Sequence, residues 1–369
     1  MTAPRIAFLE THLMGSGHLA RVLNLAGAVR AAGGEAMVVS GGRPLAHLPL
    51  GPGDVQLPPV HVPGLNYRDL RGPDGAPAGD ALWAARQEAV AGVWARFRPD
   101  VLVTELFPFG RRQMAAEFEA LAAARPLGTA LVSSVRDVPE PPKKEKRARE
   151  SLARLAGYEA VLVHGDRSVL ALEEVWPGHG LSVDPGLLRY TGYVAPAPAA
   201  ATDGEGAGEV LVSVGSGGIG RRLLELAARA AAGHGLRWRL MAPGAEAERD
   251  ALRALGPAVV EAPRGDFRAL LPRCAVSISL AGYNTAVEAA TRGGPSILVP
   301  MEEGDEQEQL IRAAAFARLP GVSTRRIGML TPETLRDAVD ASLDAAPAEP
   351  PKIDLDGARR SAEILMSLA

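Results

Sequence analysis

Three stretches of the chain carry residue types and spacings suited to group-transfer chemistry. The first is Gly15-Ser16-Gly17-His18, between an apolar run and a helical pattern. A histidine at a helix N-terminus is pushed toward its neutral form by the dipole, which suits a general base; a capping or surface histidine is the equal alternative. The second is Gly215-Ser216-Gly217-Gly218-Ile219-Gly220, directly after the apolar Val210–Val214. Glycines there let backbone amides approach a diphosphate, and the helix that follows adds roughly half a positive charge. The lesser alternative for either turn is close helix–strand packing. The third is Ala281-Gly282-Tyr283-Asn284-Thr285 followed by Glu288. Glu288 comes three residues after Thr285, on the helix face nearest that turn. Its carboxylate could accept both hydroxyls of a ribose, while Asn284 and Thr285 could donate to phosphate.

Other chemistries fit poorly. A dinucleotide site needs an acid at the end of the next strand, but here those strands end Val39-Ser40-Gly41-Gly42 and Leu240-Met241-Ala242-Pro243. Neither glycine turn continues into the Gly-Lys-Ser/Thr of a P-loop, and no Gly-x-Ser-x-Gly elbow occurs. The seven histidines show no metal-ligand spacing. Asp354-Leu355-Asp356 lies in the terminal tail, where helix capping explains it better than a metal, so no metal or other cofactor is expected. A net charge of −3 argues against a nucleic-acid partner. The single Cys274 forms no internal disulfide, and no run approaches the roughly 20 apolar residues of a membrane span, so a cytoplasmic protein is expected. The basic stretch Lys143–Arg149 could dock on anionic lipid, but its interleaved acids and lack of bulky apolar anchors read as a solvated helix. The acidic loop Met301–Glu308 reads as a solvated helix start.

Short apolar runs alternate with helical patterns almost throughout, which predicts parallel sheets built from βαβ units. The first half predicts strands at Arg5–Glu10, Glu35–Ser40, Asp100–Glu105, Gly128–Ser133 and Glu159–Val163. Its helices should cover His18–Ala31, Gly79–Phe97, Arg111–Ala124 and Lys143–Leu155. The second half predicts strands at Glu209–Val214, Leu236–Met241, Ala258–Glu261, Ala275–Leu280 and Ser296–Val299, with helices from Gly220, Glu246, Thr285, Glu306 and Pro332. The Ala/Pro/Gly-rich residues 194–208 between the halves read as a linker. The domains are therefore expected at 1–193 and 209–352, with a final helix in 353–369 that could cross back to the first. At 369 residues, each half can bury its own core.

Together these pieces resemble the MurG-type GT-B glycosyltransferases. The matching residues are Gly15 to His18, glycines 215–220, Gly282 with Thr285 and Glu288, and Gln309 with Ala313. More closely the chain looks like a less characterised branch of that superfamily, through Gly17-His18-Leu19 with Arg21, Phe107–Met114, Val163-His164-Gly165-Asp166 and Glu308–Ala313. The resemblance implies an α/β fold of two Rossmann-like domains with parallel sheets facing across a cleft. It implies a nucleotide-sugar donor, with UDP expected, and a hydroxyl-bearing acceptor, with hexosyl or N-acetylhexosaminyl transfer by metal-independent displacement. His18 would be the base. Gly217, Gly218, Gly220, Arg264, Asn284, Thr285, Glu288 and Gln309 would bind the donor. Gly15, Gly17, Glu105, Phe109, Arg111 and Arg136 would face the acceptor, although Arg111 could equally just start a helix. Glu308 stands where the family carries histidine and Arg312 where it carries asparagine, which argues against the lipid-linked peptidoglycan acceptor. Rival readings are a nucleotide-sugar hydrolase, in which His18 activates water, and a non-catalytic nucleotide-sugar binder.

Overall fold

A computed structural model describes residues 2–64, 66–195, 199, 204–215, 220–302, 307–345, 349 and 351–369. The chain folds into two compact α/β units: residues 1–167, 171–194 and 354–369 form one, and 168–170 with 195–353 form the other.

The first unit contains a seven-stranded parallel sheet. In chain order its elements are β1 (Arg5–Glu10), α1 (Gly17–Ala31), β2 (Glu35–Ser40), β3 (Val55–Gln56), α2 (Asp80–Phe97), β4 (Val101–Glu105), α3 (Ala115–Ala123), β5 (Ala130–Arg136), α4 (Glu145–Leu155), β6 (Ala160–His164), α5 (Leu172–Val175) and β7 (Leu188–Tyr190). The strand order is β3-β2-β1-β4-β5-β6-β7. Both faces of the sheet are covered, so its central strands are apolar almost without interruption. Alternate residues of β1 serve opposite layers: Ile6 and Phe8 pack with Leu19, Val22 and Val29 of α1, whereas Ala7 and Leu9 join the cluster holding Val93 and Trp94 of α2 and Phe118 of α3.

The second unit repeats the plan with β8 (Val210–Ser213), α6 (Arg221–Ala230), β9 (Trp238–Met241), α7 (Glu246–Arg253), β10 (Val259–Glu261), α8 (Phe267–Leu270), β11 (Val276–Leu280), α9 (Tyr283–Thr291), β12 (Ser296–Val299), α10 (Glu308–Phe316), β13 (Val322–Thr324) and α11 (Pro332–Asp344). Its six parallel strands run β10-β9-β8-β11-β12-β13. In each sheet the order reverses beside the first strand, at β1/β4 and at β8/β11. Open α/β sheets bind ligands at such switch points, beyond the carboxyl ends of the strands. The glycine turn after β1 stands there, as do Gly215 and Gly220 after β8.

The terminal helix α12 (Gly357–Ser367) belongs to the first unit, where its Ala362 and Leu365 extend the core beneath α1. Asp356 occupies its N-cap position but accepts no helix amide; its carboxylate pairs with Arg359 at 2.7 Å instead. The edge strands β3, β7 and β13 and the four-residue helices α5 and α8 lie outside the sequence expectation. Segments of two to four residues are too short to show a period. The helix expected from Arg111 starts only at Ala115, because Arg111 sits in the left-handed region (φ 57°) and a 3-10 turn follows it.

Candidate active site

The switch point of the first unit gathers a chain of polar groups. His18 lies in the first turn of α1, after Gly15, whose φ of 67° favours glycine. Glu105 ends the neighbouring β4 and is 1% exposed. His18 Nδ1 meets Glu105 Oε1 at 2.8 Å. A carboxylate can only accept, so Nδ1 carries the proton and the lone pair lies on Nε2. Arg21, one helical turn beyond His18, pairs with the same oxygen. Its Nη2 also approaches His18 Nδ1 at 3.3 Å, but both atoms carry protons and this contact is no bond.

The second oxygen of Glu105 is held from the other side. Ser134 Oγ, in register beside Glu105 on β5, donates to Oε2 at 2.9 Å. With its proton so used, Ser134 must accept from His164 Nε2 at 2.8 Å. His164, fully buried on β6, is therefore the Nε2–H tautomer, and its Nδ1 faces the Thr191 hydroxyl at 3.0 Å. The result is a directed series from His164 through Ser134 to the carboxylate that meets His18.

The charges follow from this geometry. Burial pushes the His18 pKa down to about 3; the nearby Arg111 charge adds to that, against the opposing bond to Glu105. Burial and the Arg21 charge likewise take His164 down to about 3. Burial alone would raise the Glu105 pKa, but Arg21 and the His18 bond hold it far below the carboxylate range. Near neutral pH the centre is thus a carboxylate, a paired guanidinium and two neutral imidazoles. A neutral histidine oriented by a carboxylate has the form that a general base requires.

The residues expected to face an acceptor divide into two sets. Glu105 is interior, with its oxygens engaged by His18, Arg21 and Ser134. Phe109 is likewise interior, 1% exposed, and packs on Trp176 at 4.4 Å between ring centroids. Gly15 and Gly17 are exposed, and a side chain at either would meet open space. Arg111 and Arg136 bring positive charge to His18 from the loop after β4 and the end of β5.

In the second unit Gly217 and Gly218 lie outside the described residues. Gly220 (φ 105°) opens α6, and a Cβ there would come within 2.7 Å of Val214; the turn itself requires this glycine. Asn284 and Thr285 begin α9, exposed and half-buried respectively. Glu288, one turn on, pairs with Arg268 at 3.0 Å; burial raises its pKa against that pairing. Gln309 accepts from the Met301 amide at 3.1 Å through Oε1, so its NH2 end remains the donor. The Arg264 side chain is taken up by Asp266 and Glu205, both at 2.7 Å.

Sequence reasoning missed the Ser134–His164 series and a second buried pair, Glu308 with Arg312 at 2.8 Å. Arg312 donates to the Ala281 carbonyl at 3.0 Å and lies over the Tyr283 ring, which ties α10 to the turn that opens α9. The two departures from the family pattern are therefore partners. Among the described residues no group of three or more His, Cys, Asp or Glu is placed to hold a metal ion, and no helix is long and apolar enough to cross a membrane.

No family model matches the chain. It is 33% identical over 198 residues to the UDP-N-acetylglucosamine–N-acetylmuramyl-(pentapeptide) pyrophosphoryl-undecaprenol N-acetylglucosamine transferase of Rhodospirillum centenum, covering 49% of this chain and 50% of that protein. The chain thus matches about half the length of that curated relative. Among solved structures, Acinetobacter baumannii MurG superposes with a TM-score of 0.59 at 15% identity, over 99% of this chain and all of that one. The spinosyn rhamnosyltransferase SpnG, complexed with thymidine diphosphate, superposes with a TM-score of 0.57 at 19% identity, over 99% of this chain and 95% of that one. Two parallel sheets of matching strand order and these likenesses lead to one assignment: the chain has the GT-B fold.

Proposed function

We propose that the chain is a glycosyltransferase that moves a sugar from a nucleoside diphosphate donor, a UDP-sugar in the first instance, to a hydroxyl-bearing acceptor. The observation that supports it most is the 2.8 Å contact of His18 Nδ1 with Glu105, which leaves Nε2 to take the acceptor proton. The first unit would hold the acceptor and the base, and the second the donor. Glu288 would accept the ribose hydroxyls after parting from Arg268, and the Gln309 NH2 would donate to a sugar hydroxyl. Asn284, Thr285 and the amides opening α9 would meet the diphosphate, together with Gly217 and Gly218. As the acceptor oxygen bonds to the anomeric carbon, the bond to the diphosphate breaks and the pair of electrons leaves with the nucleotide. No metal is assigned to this step, and chelation by EDTA should leave the rate unchanged. Transfer of a hexose or N-acetylhexosamine in the cytoplasm is part of the same proposal.

The test is a thermal-shift panel with UDP, dTDP, GDP, NAD and NADP, followed by product analysis with nucleotide-sugars. A ligand at a hundred times its Kd stabilises by about 2.7 kcal/mol, well within detection. A UDP or dTDP shift that is lost in Glu288→Ala supports the reading; a shift with NAD or NADP alone overturns it. The same base, with Arg21 behind its carboxylate, would also activate water. Full sugar release without any acceptor would make the protein a hydrolase.

A further inference from the structure

Arg111 is buried to 9% exposure, yet its Nε has no hydrogen-bond partner and no carboxylate closes an ion pair with it among the described residues. A buried guanidinium in that condition is costly, because no direct hydrogen-bonded acid offsets its desolvation. Its backbone adds to the cost: Arg111 holds a left-handed φ of 57°, a conformation that side chains of its type rarely adopt. Glu10 and Glu105 favour its charge from a distance and Arg136 opposes it, yet burial outweighs them and neither acid contacts it, both being engaged elsewhere. Glu10 accepts from Ser40 and meets His12; Glu105 is held by Arg21, Ser134 and His18. Space is also kept at this end of the sheet. Gly17 has an ordinary φ and open space where a side chain would stand, so neither backbone nor packing requires a glycine there.

We infer that Arg111 is the anchor of an oxyanion subsite beside His18, and that the acceptor carries a phosphate or carboxylate group near the hydroxyl that reacts. This rests on the reading of the first unit as the acceptor-holding unit. A planar guanidinium offers two parallel donors to either oxyanion, which fixes orientation as well as charge. An anion bound there would place the neighbouring hydroxyl against His18 Nε2 and give the guanidinium the direct ionic partner it lacks among the described residues. A neutral acceptor would leave the cation buried and unpaired during turnover.

The experiment follows the melting of the full chain in inorganic phosphate and in acetate, each at millimolar concentration against chloride at matched ionic strength. Wild type is compared with Arg111→Met and Arg111→Lys. UDP and dTDP binding is read in the same samples. Wild type should be stabilised by phosphate or acetate, and the larger response tells which oxyanion the acceptor bears. Arg111→Met should raise the apparent dissociation constant by at least about tenfold, the equivalent of one charge-assisted contact. With no anion added, it should melt higher than wild type, because an uncompensated buried charge is gone. Should Arg111→Met fold poorly, Arg111→Lys decides, keeping the charge but losing the fork and so weakening the response. An absent wild-type response, or one undiminished in both variants, overturns the subsite. With nucleotide binding intact, such a result leaves the transferase reading standing; loss of nucleotide binding in wild type removes that reading instead.

Discussion

His18 Nδ1 lies 2.8 Å from Glu105 Oε1, and that one contact decides which face of the imidazole can do chemistry. Replacing His18 by Gln keeps a polar side chain but removes the proposed base. Turnover should fall by roughly 10²–10⁴, the usual worth of a positioned base, with KM for the donor unchanged. A His18→Gln enzyme with wild-type kcat would show that the proton goes elsewhere.

The support behind Glu105 should be visible separately. Ser134→Ala removes a buried bond to a carboxylate and should cost about 1.5–3 kcal/mol in urea melts. It should lower kcat about tenfold while donor KM stays level. A stability loss with kcat unchanged would make Ser134 structural only, and would detach His164 from the base.

Much of this arrangement was legible in the sequence, and the reason for the remainder is physical. The apolar runs of β1, β4 and β11 and the glycine turns placed the switch points, because parallel strands buried on both faces leave a strong signal. His18 stood out from its position after Gly17. Glu105 ended a predicted strand, but its orientation toward His18 depends on β1 and β4 being neighbours. Ser134 and His164 meet Glu105 only through the registers Glu105 with Ser134 and Arg136 with His164, which no local pattern encodes. Glu308 and Arg312 are four residues apart on one helix, a spacing visible in advance, yet that spacing is common on solvated helices. Their burial, 5% and 0% exposed, is what makes the pair different.

Acid should unfold the protein through its histidines. The folded-state pKa values of His18 and His164 are both about 3, below the ordinary 6.5, so the unfolded chain binds more protons between those values. Their contribution to stability is complete above 6.5 and is lost as pH falls toward 3, at up to about 1.4 kcal/mol per pH unit for each. His164→Gln should flatten the dependence of melting temperature on pH in this window. An unchanged slope would mean that His164 is protonated in the folded protein.

Arg312 supports the second unit from inside. Arg312→Met leaves Glu308 buried without its partner and should destabilise by about 3–5 kcal/mol. Glu308→Gln together with Arg312→Met removes both charges and should recover much of that loss. A double variant as unstable as the single one would show that the bond from Arg312 to the Ala281 carbonyl carries the stability, not the ion pair.

Glu288 presents the opposite case, a carboxylate whose present partner is replaceable. Arg268 is over one-third exposed and pairs with it through one contact at 3.0 Å, so loss of that pair should cost less than about 1 kcal/mol. Glu288→Gln should therefore melt close to wild type. It should nevertheless weaken UDP or dTDP by about tenfold or more, because an amide offers only one acceptor oxygen to two ribose hydroxyls. Isothermal titration of the nucleotide separates the possibilities. A variant that binds as tightly as wild type would confine Glu288 to its pairing with Arg268 and require the ribose to be held by other groups.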